Sequence, residues 1–251
     1  MIHLLPMRWR LSFILLIFVP PLHANPLFSG FTADYEVSKN GTILGESHRR
    51  LISREHGKIL NYASTTIPTG IISLFVSDKF MEHSVVEISK NTILPKKYEY
   101  QRTGGKKEIT FKAIFDWRKK QIQMTGHNSP EKLKPDTHDL LSFQLALMKG
   151  LMNGQRSFQF QVVDHKRIQT QTLKYTRQEK VKTSMGILNV LQLDHRAEKS
   201  QYHFTFWCAQ ELHYLPIKIT KTEQDGDIIQ LKLKRFNKTR LDFNGDSNGN
   251  H

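Results

Sequence analysis

Apolar and polar residues alternate along most of this chain. Because alternation places every second side chain on the same face of an extended segment, it predicts β-strands. The alternating segments are Phe31–Val37, Ile59–Thr66, Lys79–Ile88, Leu94–Arg102, Lys107–Trp117, Gln121–Thr125, Ser157–Val163, Arg167–Lys182, Ile187–His195, Gln201–Cys208, Ile217–Glu223 and Ile228–Phe236. The apolar stretch Ile67–Phe75 predicts a short connector of one or two helical turns.

One stretch, Asp136–Gly154, follows a helical period instead. Its apolar residues fall on one stripe, and they are Leu140, Leu141, Leu147, Met148 and Leu151. Asp136 or Thr137 suits the N-cap, and Asp139 suits the positive end of the helix dipole. Gly150 or Gly154 suits the C-terminal end. The pattern therefore predicts one long helix between two β-rich halves.

The turn at Asn40-Gly41 predicts the first hairpin. A two-residue turn and a three-residue loop that adds Lys39 are both compatible with these residues. We prefer the three-residue loop because it opposes Tyr35 to Gly45, which places an aromatic ring over a bare glycine.

The last hairpin also has two possible registers. A two-residue Asp225-Gly226 turn opposes Ile219 to Lys232, whereas a loop of Gln224, Asp225 and Gly226 opposes Ile219 to Leu231. The three-residue loop is preferred because the buried faces of the two strands then agree.

These elements predict a mainly β fold of about a dozen strands with one main helix. The expected architecture is a strongly curled antiparallel sheet or half-open barrel, with helix 136–154 packed on its concave face. Residues 25–236 are expected to form a single domain. Two small domains that divide near His127–Pro135 are the alternative. The polar stretch 237–251 is expected to be a disordered tail.

The N-terminus has the anatomy of a secretory signal peptide. Arg8 and Arg10 precede the short apolar run Leu11–Val19, prolines break that run, and Ala24 offers a small residue for cleavage. We therefore expect residues 1–24 to be removed on export to the periplasm of a Gram-negative bacterium. An uncleaved N-terminal anchor is the alternative. The remaining chain has no stretch apolar enough to cross a bilayer, so the mature protein is expected to be soluble.

Charge and cysteine content narrow the classes of function. The net charge is +14 for the full chain, which favours anionic partners such as lipid headgroups or acidic polymers, although solvated surface lysines explain it equally well. Export argues against nucleic acid as a partner. Cys208 is the single cysteine, so no intramolecular disulfide can form, and its apolar neighbours favour a buried, inert thiol.

The segments around Gly104-Gly105 form the clearest predicted hairpin. A two-residue turn there opposes Tyr98 to Phe111 and Lys97 to Lys112. One face then carries the aromatic side chains, which either line an apolar cavity or pack as core: Tyr98, Tyr100, Phe111, Phe115 and Trp117. The basic side chains of the hairpin form a candidate patch for an anionic ligand, or else extend into water: Lys97, Arg102, Lys106, Lys107 and Lys112.

Motifs for catalysis and metal binding are absent from the sequence. The twelve histidines show no metal-ligand spacing, no G-x-S-x-G elbow is present, and Gly104-Gly105 is explained by a turn. We therefore expect no catalytic residue, cofactor or metal site. A hydrolase with two carboxylates brought together by the fold is the remaining enzymatic possibility.

Several phrases resemble an exported bacterial family known as domain of unknown function 3108. They are Tyr35-Glu36-Val37 with Asn40-Gly41 and Gly45-Glu46, Tyr98 with Gly105-Lys106-Lys107, Phe115-Asp116-Trp117, Asp139-Leu140-Leu141-Ser142, and Trp207, Ala209, Leu212 with Tyr214-Leu215-Pro216. The resemblance spans Phe31–Phe236. Similar proteins often have proline where this chain has Leu140 and Gln210, which affects local turn geometry.

The family implies no established activity, cofactor or catalytic residue. A weaker analogy at the level of fold is to periplasmic carriers of outer-membrane lipoproteins, in which a concave sheet binds acyl chains. These features together predict a non-enzymatic periplasmic binding or carrier protein for an amphiphile, such as an anionic lipid, in envelope biogenesis. A basic adaptor that docks on an acidic envelope polymer or partner protein is the alternative. The sequence does not indicate an oligomeric state.

Overall fold

The computed structural model describes residues 29–90, 92–165, 167–195 and 202–239. Within these ranges the chain forms one α-helix, α1 (Ser142–Met152), and 3₁₀ turns at Glu55–Gly57, Gly70–Leu74 and Gln210–Leu212. The strands are β1 (Phe31–Lys39), β2 (Thr42–Arg54), β3 (Ile59–Pro68), β4 (Lys79–Ser89), β5 (Thr92–Thr103), β6 (Ile109–Asp116), β7 (Gln121–Met124), β8 (Glu131–Lys132), β9 (Thr137–Asp139), β10 (Ser157–Val163), β11 (Ile168–Thr183), β12 (Gly186–His195), β13 (His203–Ala209), β14 (Leu215–Thr222) and β15 (Ile228–Lys238).

All fifteen strands belong to one sheet, in the order β8-β7-β6-β5-β4-β3-β2-β1-β15-β14-β13-β12-β11-β10-β9. Neighbouring strands are antiparallel except β9 and β10, which are parallel. The prediction of a mainly β protein with one helix is confirmed. The sheet has more strands than the expected dozen because β8 and β9, of two and three residues, are too short to show a period.

The order of the strands explains why the sheet curls. Its two edge strands, β8 and β9, are consecutive in the chain, and residues 133–136 alone connect them. A flat sheet of fifteen strands would be about 67 Å wide, whereas five residue steps span at most roughly 18 Å. The two edges must therefore lie near each other. In agreement, Val163 of β10 shares a buried cluster with Phe111 of β6 and Leu133.

The helix begins later than its pattern predicts. Thr137–Asp139, expected in the first turn, is instead strand β9 and pairs with Gln161–Val163 of β10. The reason is Asp139, whose Oδ1 accepts hydrogen bonds from the backbone N–H groups of Leu141 and Ser142, both at 2.9 Å. These bonds satisfy free N–H groups at the helix start, as a capping residue does.

Gly154 follows the last turn of α1. Its φ of +82° is a left-handed value that favours glycine, and its N–H donates to the Leu151 carbonyl at 3.0 Å. Of the two glycines predicted to end the helix, Gly150 lies inside α1, and Gly154 lies two residues after its last residue, Met152.

The helix buries two faces rather than the single stripe that its sequence predicts. Leu145 and Met148 share a buried cluster with Tyr35 of β1 and other residues of β1–β3. Leu147 and Leu151 belong to a second cluster with residues of β10–β14. Because both halves of the sheet contact α1, its apolar surface is wider than one stripe.

The register of the first hairpin differs from the expected one. Asn40 and Gly41 form a two-residue turn with Lys39 opposite Thr42, and a bulge then brings Val37, not Tyr35, opposite Gly45. Glycine is required at position 45 because a Cβ there would lie 2.1 Å from the carbonyl oxygen of Ile67 on the adjacent strand β3.

The register of the last hairpin is confirmed, because Ile219 of β14 lies opposite Leu231 of β15. Strand β15 extends to Lys238, which pairs with Phe31, so Asn237 and Lys238 belong to the sheet and not to a tail. The predicted signal peptide, 1–24, and the rest of the predicted tail, 240–251, lie outside the described residues. Among the described helices, none is long and apolar enough to cross a membrane.

Candidate functional site

A cavity of about 220 Å³ lies between the start of α1 and strands from both halves of the sheet. This volume exceeds the roughly 150 Å³ of an apolar protein cavity that binds benzene. Most of its wall is apolar, and these residues are Leu140, Phe143, Val162, Leu173, Phe204, Phe206, Ile219 and Leu231. The polar part of the wall consists of Arg49, Glu82, Gln144 and Gln171. We call this space the Arg49 cavity.

Strand β2 brings Arg49 to the cavity. Residues 45, 47, 49 and 51 of this strand are buried, while the residues between them are exposed. Arg49 therefore shares its face with Leu51, and only 7% of it is exposed. The alternation of β2 can be read from the sequence, but it does not by itself mark Arg49 as a candidate site residue.

The guanidinium of Arg49 is only partly satisfied. Its Nη1 donates to Oε1 of Gln144 at 2.6 Å, and its central carbon lies 4.8 Å from the centroid of the Tyr35 ring. Its Nε is buried without a hydrogen-bond partner. Within the described part of the chain, the ion pairs do not include Arg49. Arginine stays protonated in proteins, so the cavity wall contains a buried positive charge with a free donor.

Glu82 of β4 also lines the cavity, but its carboxylate is hydrogen-bonded to Tyr98. The Tyr98 hydroxyl donates to Oε1 of Glu82 at 2.6 Å. Burial raises the pKa of Glu82, while the bond from Tyr98 and the charge of Arg49 act in the opposite direction.

The other carboxylate near the start of α1, that of Asp139, accepts hydrogen bonds from the chain itself. Besides two backbone N–H groups, it accepts from the hydroxyls of Ser84 and Ser142 at 2.7 and 2.8 Å. Burial raises the pKa of Asp139, and its hydrogen bonds oppose that shift. It is fully buried and does not line the Arg49 cavity. Its role in the structure is to fix the start of α1.

The five aromatic residues predicted as a cavity lining lie together in the structure, but the Arg49 cavity is lined by other residues. Tyr98, Tyr100, Phe111 and Phe115 are buried in one cluster, and Trp117 packs against it. The rings of Tyr98 and Phe111 meet edge to face at 6.3 Å. The indole N–H of Trp117 donates to a backbone carbonyl of β5.

The register of the β5–β6 hairpin is two residues away from the predicted one. Tyr100, not Tyr98, lies opposite Phe111, and Lys112 lies opposite Glu99 instead of Lys97. The turn is longer than two residues because the loop packs on its neighbours. A Cβ at Gly104 would lie 2.1 Å from the Ser77 carbonyl oxygen.

This register divides the predicted basic patch. Lys97 pairs with Glu99 at 2.8 Å, and Nε of Arg102 pairs with Oδ1 of Asp78 at 2.6 Å. Lys106, Lys107 and Lys112 are exposed. The five residues therefore do not form one uncompensated cationic surface.

Two further concave regions contain titratable groups. One, of about 320 Å³, lies beside the C-terminal half of α1 and includes His138, Lys149 and Gln159. The other, of about 470 Å³, is basic and lies across β11 and β13–β15. Its cations are Arg177, Lys182, Lys218, Lys232 and Lys234, and we call it the lysine groove.

Among the described residues, one group of three carboxylates has metal-like spacing. Glu223, Asp225 and Asp227 lie in the β14–β15 turn, with oxygens within 4.8 Å of one another. Lys39 pairs with Asp227, and Lys221 pairs with Glu223 at 2.6 Å. These lysines and the exposure of the turn explain the acidic group without a metal.

The fold and cavity define a class of β-rich protein in which one large sheet packs against a single helix and leaves an apolar space beside it. The chain belongs to the family described as "Protein of unknown function (DUF3108)", whose pattern matches residues 34–234. This confirms the resemblance seen in the sequence. No curated protein matches the chain.

A solved structure supports the fold. The chain is similar to the crystal structure of a beta-barrel-like protein of domain of unknown function DUF1849 from Brucella abortus, with a TM-score of 0.56 and 11% sequence identity. The match covers 84% of this chain and 98% of the other. At this identity the likeness concerns the fold alone.

Proposed function

We propose that this protein is a non-enzymatic periplasmic binding or carrier protein that takes an acidic amphiphile into the Arg49 cavity. The apolar chain of the ligand lies against Phe143, Phe206 and their neighbours, and its carboxylate or phosphate pairs with Arg49. Helix α1 covers the concave side of the curled sheet and forms one wall of the site. The function fits a role in envelope biogenesis.

The observation that carries this proposal is the free donor of Arg49. Burying a charge without a partner costs several kcal/mol, and buried charges in proteins are therefore normally paired. The planar guanidinium matches the geometry of carboxylate and phosphate groups. An anionic headgroup supplies the partner that the described part of the chain does not provide, and the adjacent apolar wall accepts its chain.

The carboxylates of the half-buried Glu82 and the buried Asp139 support binding rather than hydrolysis. Glu82 is held by Tyr98, and Asp139 uses both oxygens to bond the start of α1. Only Glu82 lines the cavity. A hydrolase of the carboxylate-pair type needs two acids facing one reacting bond.

Binding of dodecanoate, measured by calorimetry with delipidated protein, tests the proposal. Arg49→Met is expected to weaken binding at least about tenfold, which corresponds to about 1.4 kcal/mol. Arg50→Met is the matched control, since Arg50 is the next residue and is exposed on the other face of β2. Dodecanol, which has no charge, is expected to bind wild type and Arg49→Met equally. Absence of dodecanoate binding, or equal affinity of wild type and Arg49→Met, would refute the proposal.

Export is tested separately. N-terminal sequencing of protein from the periplasmic fraction of its own host is expected to begin at Asn25. An intact Met1 in the cytoplasmic fraction would contradict this part of the proposal.

A second candidate function is an adaptor for an acidic envelope polymer, favoured by the lysine groove. Lys218 and Lys232 lie directly opposite each other on β14 and β15, where like charges repel each other. Glu179 lies in the same groove, and the Lys218 ammonium lies over the Trp207 ring, 3.6 Å from its centroid. Burial lowers the pKa of Lys218. The adaptor predicts polyglutamate binding that weakens steeply with salt and is lost in Lys218→Gln/Lys232→Gln. Salt-insensitive binding, or none, would exclude it.

A further inference from the structure

The connection between β3 and β4 exposes a compact apolar surface. Ile71, Leu74, Phe75 and Val76 are exposed by 75%, 78%, 80% and 39%, and we call these four residues the apolar tip. Large apolar side chains at this exposure, grouped within six residues, are unusual on a protein surface and mark interaction sites.

Hydrogen bonds hold the backbone of this segment in a defined conformation. The N–H groups of Phe75 and Val76 donate to the Ile72 carbonyl at 3.0 and 2.9 Å. The Ser73 hydroxyl donates to the Gly70 carbonyl at 2.7 Å. The apolar side chains are therefore presented by an ordered turn, so a partner does not have to order it on binding.

Basic side chains lie beside the apolar tip. The β5–β6 loop packs directly on residues 77–78, where the Ser77 hydroxyl donates to the Gly104 carbonyl. That loop carries the exposed Lys106 and Lys107, and Lys79 on β4 is also exposed opposite Thr103 of β5.

Fewer acidic than basic side chains lie near the apolar tip. Asp78 pairs with Arg102, which leaves the exposed Glu108 as the opposing charge on the loop. Lys79, Lys106 and Lys107 therefore give the rim of the tip an excess of positive charge.

We infer that the apolar tip and its three lysines form a docking surface for an anionic lipid bilayer. Apolar side chains enter the interface between headgroups and acyl chains, and lysines at the same level pair with lipid phosphates. Charge complementarity selects a bilayer over an uncharged protein surface. This inference uses no residue of the Arg49 cavity, so it stands or fails independently of the proposed ligand.

Sedimentation with phospholipid vesicles tests the inference on the full-length mature protein. Binding is expected to vesicles of phosphatidylethanolamine and phosphatidylglycerol and not to phosphatidylcholine alone. Leu74→Ser/Phe75→Ser is expected to reduce binding at least about tenfold. Ile187→Ser is the matched control, because Ile187 is 68% exposed on β12 and is outside the tip.

The contribution of the lysines to vesicle binding is tested with two double variants. Lys106→Gln/Lys107→Gln is expected to weaken binding about tenfold, whereas Lys174→Gln/Lys180→Gln on β11 leaves it unchanged. Both pairs remove two exposed lysines, so total charge is matched.

Insertion of the apolar tip into the bilayer can be measured with a fluorescent probe. Cys208 is buried, so Phe75→Cys can be labelled selectively with a nitrobenzoxadiazole probe, whose emission shifts to the blue on entry into the bilayer. A probe at Ile187→Cys is expected not to shift. Absence of vesicle binding, equal binding by Leu74→Ser/Phe75→Ser, or a dimer that this variant dissociates would overturn the inference.

Discussion

His138 allows the packing around β9 and α1 to be tested through the pH dependence of stability. The residue lies on β9 and is 4% exposed. Its ring meets the Phe160 ring edge to face at 5.5 Å, and its Nδ1 is buried without a hydrogen-bond partner. Burial lowers the pKa of His138 from 6.5 to about 3.

The sign of the effect follows from the two pKa values. Because the folded pKa of His138 is lower than the unfolded one, the unfolded chain binds more protons between about pH 3 and pH 6.5. The stability of the folded state therefore falls as the pH falls through this window. At about 1.4 kcal/mol per pKa unit, His138 accounts for a loss of about 2 kcal/mol between pH 7 and pH 5.

Urea denaturation at pH 7, 6 and 5 measures this loss. His138→Leu and His138→Gln both remove the titrating group, and His138→Gln keeps a polar side chain. The free energy of unfolding of each variant, relative to that of wild type, is therefore expected to rise by about 2 kcal/mol from pH 7 to pH 5. Burial raises the pKa of Glu82 and Asp139, which acts in the opposite direction. Both groups are present in every variant, so their effect cancels in the difference.

His56→Gln is the control, because His56 is exposed in a 3₁₀ turn. Its denaturation profile is expected to run parallel to that of wild type. If the difference between wild type and both His138 variants changes by less than about 0.5 kcal/mol from pH 7 to pH 5, the ring is not desolvated as argued.

Three further predictions concern the core and the cavity. Arg49→Met is expected to raise the free energy of unfolding of the ligand-free protein by about 1–3 kcal/mol in urea, because it removes a buried charge; a decrease would contradict the unpaired state of Arg49. Gly150→Ala is expected to lower that free energy by about 1–3 kcal/mol despite a better helix propensity, since its Cβ would lie 2.4 Å from a ring carbon of Phe158; a more stable variant would contradict it. Burial raises the pKa of the Cys208 thiol, so Ellman's reagent is expected to react only after unfolding, and rapid reaction of the native protein would show that the thiol is accessible.

Local patterns in the sequence predict the elements of this fold well. Strand β10 has the predicted bounds, Ser157–Val163, and the β14–β15 hairpin has the predicted register. Both depend on properties that neighbouring residues determine, namely the two-residue period of a strand and the agreement of two adjacent buried faces. The apolar period of α1 is likewise set by residues of the same segment, whereas the position of its first turn is not.

Features that depend on distant segments could not be predicted in the same way. The registers of the β1–β2 and β5–β6 hairpins depend on Ile67 and Ser77, which approach Gly45 and Gly104 from neighbouring strands and turns. The helix starts late because Asp139 bonds to Ser84 of β4, 55 residues away, as well as to its own first turn.

The candidate site depends most strongly on contacts between distant segments. The period of β2 places Arg49 on the same face as Leu51, but it does not show what covers that face. Gln144 of α1, 95 residues further along the chain, contacts the guanidinium, and strands from the other half of the sheet form the apolar wall. The sequence therefore specified an inward arginine, and the packing of both halves of the sheet against α1 made it a buried charge beside a cavity. The tertiary structure decides this because removal from water depends on every segment that surrounds the side chain.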